Sequence, residues 1–198
     1  MLSDGKRPIL DNMEQSNLTN HLLIAMPNLA DPNFSHTVTY ICEHSENGAM
    51  GLVINRPIDI KVAEVLEQME IPIRDSSAAQ APVYLGGPVE EQRGFVLHSS
   101  DSAWDSTLRI NDQVSVTTSR DILEAMARGE GPEHALVALG YAGWGPGQLE
   151  QEILDNSWLS VPANQGILFT LPPARRWEAA AELLGVDLKR LSSESGHA

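Results

Sequence analysis

Glu150 is the residue whose placement most invites chemistry. On a 3.6-residue wheel, Leu149, Ile153 and Leu154 mark the buried arc of a helix running from about Pro146 to Asp155. Glu150 falls inside that arc, while Gln148 and Glu152 project elsewhere. A carboxylate among apolar neighbours needs a partner or a shifted pKa. It also sits in the first helical turn, where the helix dipole favours negative charge. Arg56 is the preferred partner, because its guanidinium can grip a carboxylate with two hydrogen bonds. Two readings follow. One is a structural salt bridge, the commoner use of such a pair. The other is a cleft carboxylate that binds or activates a ligand.

Three other constellations carry less. The stretch Gly140-x-x-Gly143-x-Gly145-x-Gly147 leads toward the same helix and could present backbone N–H groups to an anion. Its spacing is neither a dinucleotide fingerprint nor a Walker motif, and no lysine follows. A tight strand-to-helix turn with Trp144 as packing anchor explains it better. Cys42 and His44 lie two apart on one strand and so share a face, but His36 is too far along to join them. There is no CxxC, HxxxH or HExxH spacing, so neither a metal nor any other cofactor is expected. His98 follows an apolar strand and has the titration range of a general base. Ser99 and Ser100 adjoin it, yet no GxSxG elbow is present, so a serine hydrolase is unsupported.

The elements that must position these residues are legible in part. Leu22–Met26 reads as a buried strand stopped by Pro27. His36–His44 and Met50–Ile54 flank Ser45-Glu46-Asn47-Gly48, which predicts an antiparallel hairpin turning at Asn47-Gly48. Val38, Tyr40 and Cys42 fall on one face of its first strand, with Thr37, Thr39, Ile41 and Glu43 on the other. Lys61–Met69 reads as a helix with Val62, Val65, Leu66 and Met69 as its stripe and Asp59 as N-cap. Short strands follow at 83–85, 94–98, 108–110 and 114–117. A helix then opens at Thr118-Ser119-Arg120-Asp121 and ends at Gly129. Ala135–Leu139 is a buried strand, and further short strands are expected near 159–161 and 167–169. Pro172-Pro173 start a last helix with Trp177, Ala180, Ala181 and Leu184 as its stripe. Strands and helices do not alternate regularly, so a mixed sheet with helices packed on it fits better than a doubly wound fold.

Composition excludes more than it assigns. The chain has 198 residues with 42% hydrophobic and 20% charged, enough for one globular domain with a real core. Its 27 acidic residues against 13 Lys+Arg give a net charge of −14. Without a basic stripe, direct nucleic-acid binding is not expected, because phosphate neutralisation supplies most of that affinity. A lone cysteine permits no internal disulfide and suits a reducing compartment. The first residues lack the apolar core of a secretory signal, and the longest apolar stretch is about half a membrane span. A cytoplasmic protein without membrane contact is expected, with residues 1–16 as a mobile extension and 17–198 as one domain.

Several motifs stand in order along the chain. They are Leu22-Leu23-Ile24-Ala25-Met26-Pro27, Gly48-Ala49-Met50-Gly51-Leu52-Val53-Ile54-Asn55-Arg56-Pro57, and Gly86-Gly87-Pro88-Val89 with Phe95-Val96-Leu97-His98. Gly140-Tyr141-Ala142-Gly143-Trp144 and Gly147-Gln148-Leu149-Glu150 follow in order. Together they resemble the AlgH/YqgE family. The resemblance implies an α+β single domain with a strongly curved mixed, largely antiparallel β-sheet, pseudo-barrel-like and flanked by helices. Family members are often labelled transcriptional regulators, but the label brings no DNA-binding motif with it. The resemblance brings no activity or cofactor.

The residues support a non-enzymatic binding or regulatory protein that acts indirectly, through a small-molecule or protein partner. Its groove would be lined by Asn55, Arg56, Gly86, Gly87, His98, Trp144, Gln148 and Glu150, which gather at strand ends and loops. The alternative is an enzyme on a small polar substrate, with Glu150 or His98 as acid or base.

Overall fold

A computed structural model describes residues 17–74 and 77–194, so the expected extension over residues 1–16 lies outside the described residues. The strands are β1 (His21–Ala25), β2 (Val38–Ser45), β3 (Gly48–Val53), β4 (Pro57–Lys61), β5 (Pro82–Leu85), β6 (Val89–Ser99), β7 (Thr107–Arg109), β8 (Val114–Thr117), β9 (Ala135–Trp144) and β10 (Trp158–Pro162). The helices are α1 (Val62–Gln68), α2 (Arg120–Ala127), α3 (Gln148–Leu154), α4 (Pro173–Glu182) and α5 (Leu188–Glu194).

β9 organises the sheet. Along one edge its second half pairs with β3 and its first half with β5; along the other edge it pairs with β6. The path runs β10-β1-β2-β3-β9-β6-β8-β7, with β4 attached through β5. The β5–β9 pair is parallel and the other pairs are antiparallel. The result is one α+β domain whose curled, largely antiparallel sheet forms a half-barrel.

Three apolar clusters hold it. Val38, Tyr40 and Cys42 of β2 join Leu22, Ile24, Leu52, Leu97 and Leu136 on one face of the sheet, where Ala180, Ala181 and Leu188 of α4 and α5 pack. Ile41, Leu23, Ala142 and Trp144 face the other way, under Leu149 of α3 and Phe34. Val62 and Leu66 of α1 with Ile122 and Met126 of α2 cover Val83, Val96 and Val137. Arg176 is buried against the first cluster, where its guanidinium donates to the Ile54 and Leu171 carbonyls and lies over the Tyr84 ring. Burial lowers its pKa, and Tyr84 partly offsets this.

Several local expectations need correction. The hairpin is real, but Ser45 pairs with Gly48, so Glu46 and Asn47 are the turn residues. Gly48 follows them at φ 126°, where a Cβ would lie 2.2 Å from the Trp144 carbonyl oxygen. A bulge between Ile41 and Glu43 breaks the strand's alternation. Cys42 therefore enters the first cluster while His44 bonds Leu18 and Glu150 on the α3 side, so the two do not share a face. Asp59 lies in β4; α1 is capped instead by Glu64, whose carboxylate accepts the Lys61 N–H at 2.7 Å. Residues 167–169 form part of a π-helical turn, Gly166–Thr170, not a strand. Leu184 lies beyond α4 and is 42% exposed.

β9 continues through Gly140 and Gly143 to Trp144, so those glycines are inside a strand. The reason is a crossing of backbones. After β5 the chain passes over β9 at Gly86 and Gly87, where added Cβ atoms would meet the Gly140 oxygen at 2.3 Å and the Tyr141 carbonyl at 2.1 Å. Gly140 itself has φ 76°, and its own Cβ would meet the Gly87 oxygen at 2.4 Å. Only glycine on both sides allows this approach.

Candidate functional site

The eight residues singled out from the sequence do not converge on one groove. Gly86 and Gly87 are buried in the crossing just described. Asn55 bridges two backbone groups: its Oδ1 accepts the Val38 N–H and its Nδ2 donates to the His36 carbonyl, each at 2.9 Å. Arg56 donates to the Asn33 carbonyl at 2.6 Å and the Ser35 carbonyl at 2.8 Å. Burial lowers its pKa and the charge of Asp31 counters that effect. Arg56 thus fixes the loop between β1 and β2, and is not the partner of Glu150.

That loop presents Phe34 between two indoles, with ring centroids 6.1 Å from Trp144 and 5.5 Å from Trp158. Both indole N–H groups donate to the same Glu152 oxygen, at 2.7 Å from Trp144 and 3.1 Å from Trp158. Gln148 donates to the other Glu152 oxygen at 3.2 Å and accepts the Gly145 N–H at 3.0 Å. Glu152, expected to point away, is therefore the carboxylate that organises this corner. The wheel erred because Leu154, the last residue of α3, is 60% exposed, so the inward arc narrows to Leu149 and Ile153 with Glu152 beside it.

Glu150 projects to the other side of α3 and accepts the Nε2–H of His44. The tautomer follows from the partners. The Leu18 N–H donates to His44 Nδ1 at 2.9 Å, so that nitrogen must carry a lone pair. Partial burial raises the Glu150 pKa, but its own backbone N–H and His44 outweigh it and hold the carboxyl below its ordinary value. With both imidazole nitrogens engaged, His44 has no lone pair left to accept a substrate proton.

His98 is fully buried at the opposite end of the sheet. Its Nδ1–H donates to the Ser99 carbonyl at 2.8 Å, which leaves Nε2 to accept the Thr117 hydroxyl at 2.7 Å. Thr117 in turn accepts from the Thr107 hydroxyl at 2.7 Å, and Thr107 accepts the Trp104 N–H at 2.8 Å. The donors run in one direction and each is used. Burial lowers the His98 pKa more than the Ser99 carbonyl and Asp101 raise it, so the ring is neutral and saturated. Ser99 donates to Asp101 at 2.6 Å, not to an imidazole.

A recess of about 590 Å³ opens instead between α1, α2 and the first half of β6. Ile60, Val65, Met69, Phe95, Val96, Leu123, Val137 and Leu139 line it, and Gln68, Glu91, Gln92, Thr118, Ser119 and Arg120 supply polar groups. Val65, Met69 and Leu123 belong to helix stripes, yet remain only half-buried because they face this space. Gly94 lies in its wall, and a Cβ there would meet nothing within 4 Å. Thr117 also lines it, which makes His98 a support behind the wall.

The AlgH-like family profile matches residues 22–189. The chain belongs to the AlgH-like family. A UPF0301 protein of Thioalkalivibrio sulfidiphilus is 63% identical over 183 residues, covering 92% of this chain and 98% of that one. One from Methylococcus capsulatus is 53% identical over 186 residues, covering 94% and 99%. The solution structure of the AlgH protein from Pseudomonas aeruginosa is 50% identical, with a TM-score of 0.76 over 99% of this chain and 100% of that one. A crystal structure from Corynebacterium diphtheriae shares the fold, at 22% identity and a TM-score of 0.71 over 90% and 93% of the two chains. These names state no activity, substrate or partner.

For this AlgH-like chain, sequence reasoning missed the recess, Glu152 and the His44–Glu150 pair. An isolated glycine in strand β6, opposite two apolar helix stripes, was the available sign of open space. The bulge that turns His44 toward α3 has no comparable sequence mark. Among the described residues, no group of three or more His, Cys, Asp or Glu could hold a metal. No described helix is long and apolar enough to cross a membrane.

Proposed function

We propose that the chain is a non-enzymatic binding protein that holds a small molecule in the α1–α2 recess. The contrast between this recess and the candidate bases carries the reading. The two candidate acid/base groups are engaged inside the protein: Glu150 accepts from His44, and His98 has both ring nitrogens in use. The recess has the volume and the mostly apolar lining with a few polar groups that small-molecule sites show, about 300–1,000 Å³. Any regulatory output would pass through the bound ligand or a protein partner rather than through DNA, because the net charge is −14. A buried, unpaired Cys42 accords with work in the reducing cytoplasm.

The test is a thermal-shift screen of a metabolite library on the native chain and on Gly94→Trp. A ligand that binds only the native state raises its melting temperature. The Trp side chain occupies the recess from a position with no neighbours to displace. Hits on the native chain that vanish in Gly94→Trp support the reading. Hits that persist unchanged in the variant refute it.

A further inference from the structure

We infer that the ligand of the recess is an amphipathic anion, with an aliphatic body in the recess and a carboxylate or phosphate head at an adjoining arginine cluster. This rests on the recess being the binding site. A second, smaller hollow of about 230 Å³ adjoins it, lined by Ile71, Pro72, Arg74, Arg120, Glu124 and Arg128. Arg120 lines both spaces, so the two hollows meet at its side chain near the start of α2. Three of the chain's 13 Lys+Arg residues thus face one small hollow, in a protein of net charge −14.

The cations there are incompletely neutralised. Arg120 engages Glu124 through Nε at 2.8 Å, and Arg128 engages Glu130 through Nε at 3.0 Å. Neither uses its terminal amino groups on a described residue. Arg74 is exposed and forms no salt bridge among the described residues. Counting the lining residues alone, three arginines against Glu124 leave two positive charges, and Glu130 reduces the excess to one. Guanidinium groups with free terminal N–H pairs suit a planar carboxylate or a phosphate. A neutral apolar ligand would leave them unused, and a cation would be repelled.

The probes are decanoate and decyl phosphate, each titrated calorimetrically below its micelle concentration, and decanol, titrated below its solubility limit. The expected result is that at least one anion binds about tenfold more tightly than decanol, a difference of about 1.4 kcal/mol. Decanoate against decyl phosphate then reports which head group is preferred. Arg74→Gln/Arg128→Gln should erase the preference for the anion without lowering the melting temperature, since both side chains are exposed. Gly94→Trp should abolish binding of every probe. Equal affinity for decanol and the anions, untouched by the arginine variant, would overturn the anionic head while leaving the recess standing. Binding that survives Gly94→Trp would overturn the recess as well. If no probe binds, the inference fails, while library hits blocked by Gly94→Trp would still uphold the binding function.

Discussion

Replacing Glu150 by Gln removes the charged acceptor of the His44 Nε2–H, and a double-mutant cycle can show which residue that charge answers to. A hydrogen bond to a charged group contributes about 1.5–3 kcal/mol. The Glu150 side chain is 36% exposed, so solvent screening trims the coupling to about 1 kcal/mol. His44→Gln should cost more, about 2 kcal/mol, because it also orphans the Leu18 N–H. Arg56→Met frees two loop carbonyls and should cost a similar amount, by a separate route. Urea denaturation of the single and double variants gives the coupling energies. His44 and Glu150 should couple by about 1 kcal/mol, and Arg56 and Glu150 by less than about 0.5 kcal/mol. The sign with pH is also fixed. The folded pKa of Glu150 is depressed, so its contribution is present above the unfolded carboxylate value of about 4.3 and is lost as pH falls through the folded value. Coupling of Glu150 to Arg56 but not to His44 would refute this assignment.

Three further outcomes are expected. Thr39 is fully buried and its hydroxyl has no hydrogen-bond partner, so Thr39→Val should stabilise the protein by about 1–2 kcal/mol in urea denaturation; a loss of stability would show that the hydroxyl is satisfied. The depressed pKa of His98 means that the unfolded chain takes up this proton first, so native stability should fall by at most about 1.4 kcal/mol per pH unit as pH drops below about 6.5. His98→Gln should lack that component, and identical pH profiles for the two proteins would contradict a neutral buried ring. Gly48→Val should cost about 1–2 kcal/mol from the backbone alone, with the collision against Trp144 added, and a neutral result would deny the positive φ.

The sequence disclosed elements more readily than contacts. The curled sheet was expected only from the resemblance to the AlgH/YqgE family, whereas the hairpin and the stripe of α1 were legible because turn chemistry and periodicity are local. The site was not, because it depends on where elements end. The exposure of Leu154 at the end of α3 shifts the inward arc toward Glu152, and one bulged residue in β2 turns His44 onto α3. Gly140 looked like part of a turn because its partners at Gly86 and Gly87 are distant in sequence. Arg56 and Glu150 each needed a partner, and nothing local excluded their choosing one another.

The most direct test of the binding account is amide chemical-shift mapping by solution NMR, with the tightest-binding compound from the library titrated into the isotopically labelled native chain. The account predicts perturbations concentrated at residues 65–69, 91–97, 117–123 and 137–139, around the α1–α2 recess. Perturbations confined instead to residues around His44, Trp144 and Glu150, with the recess silent, would contradict it.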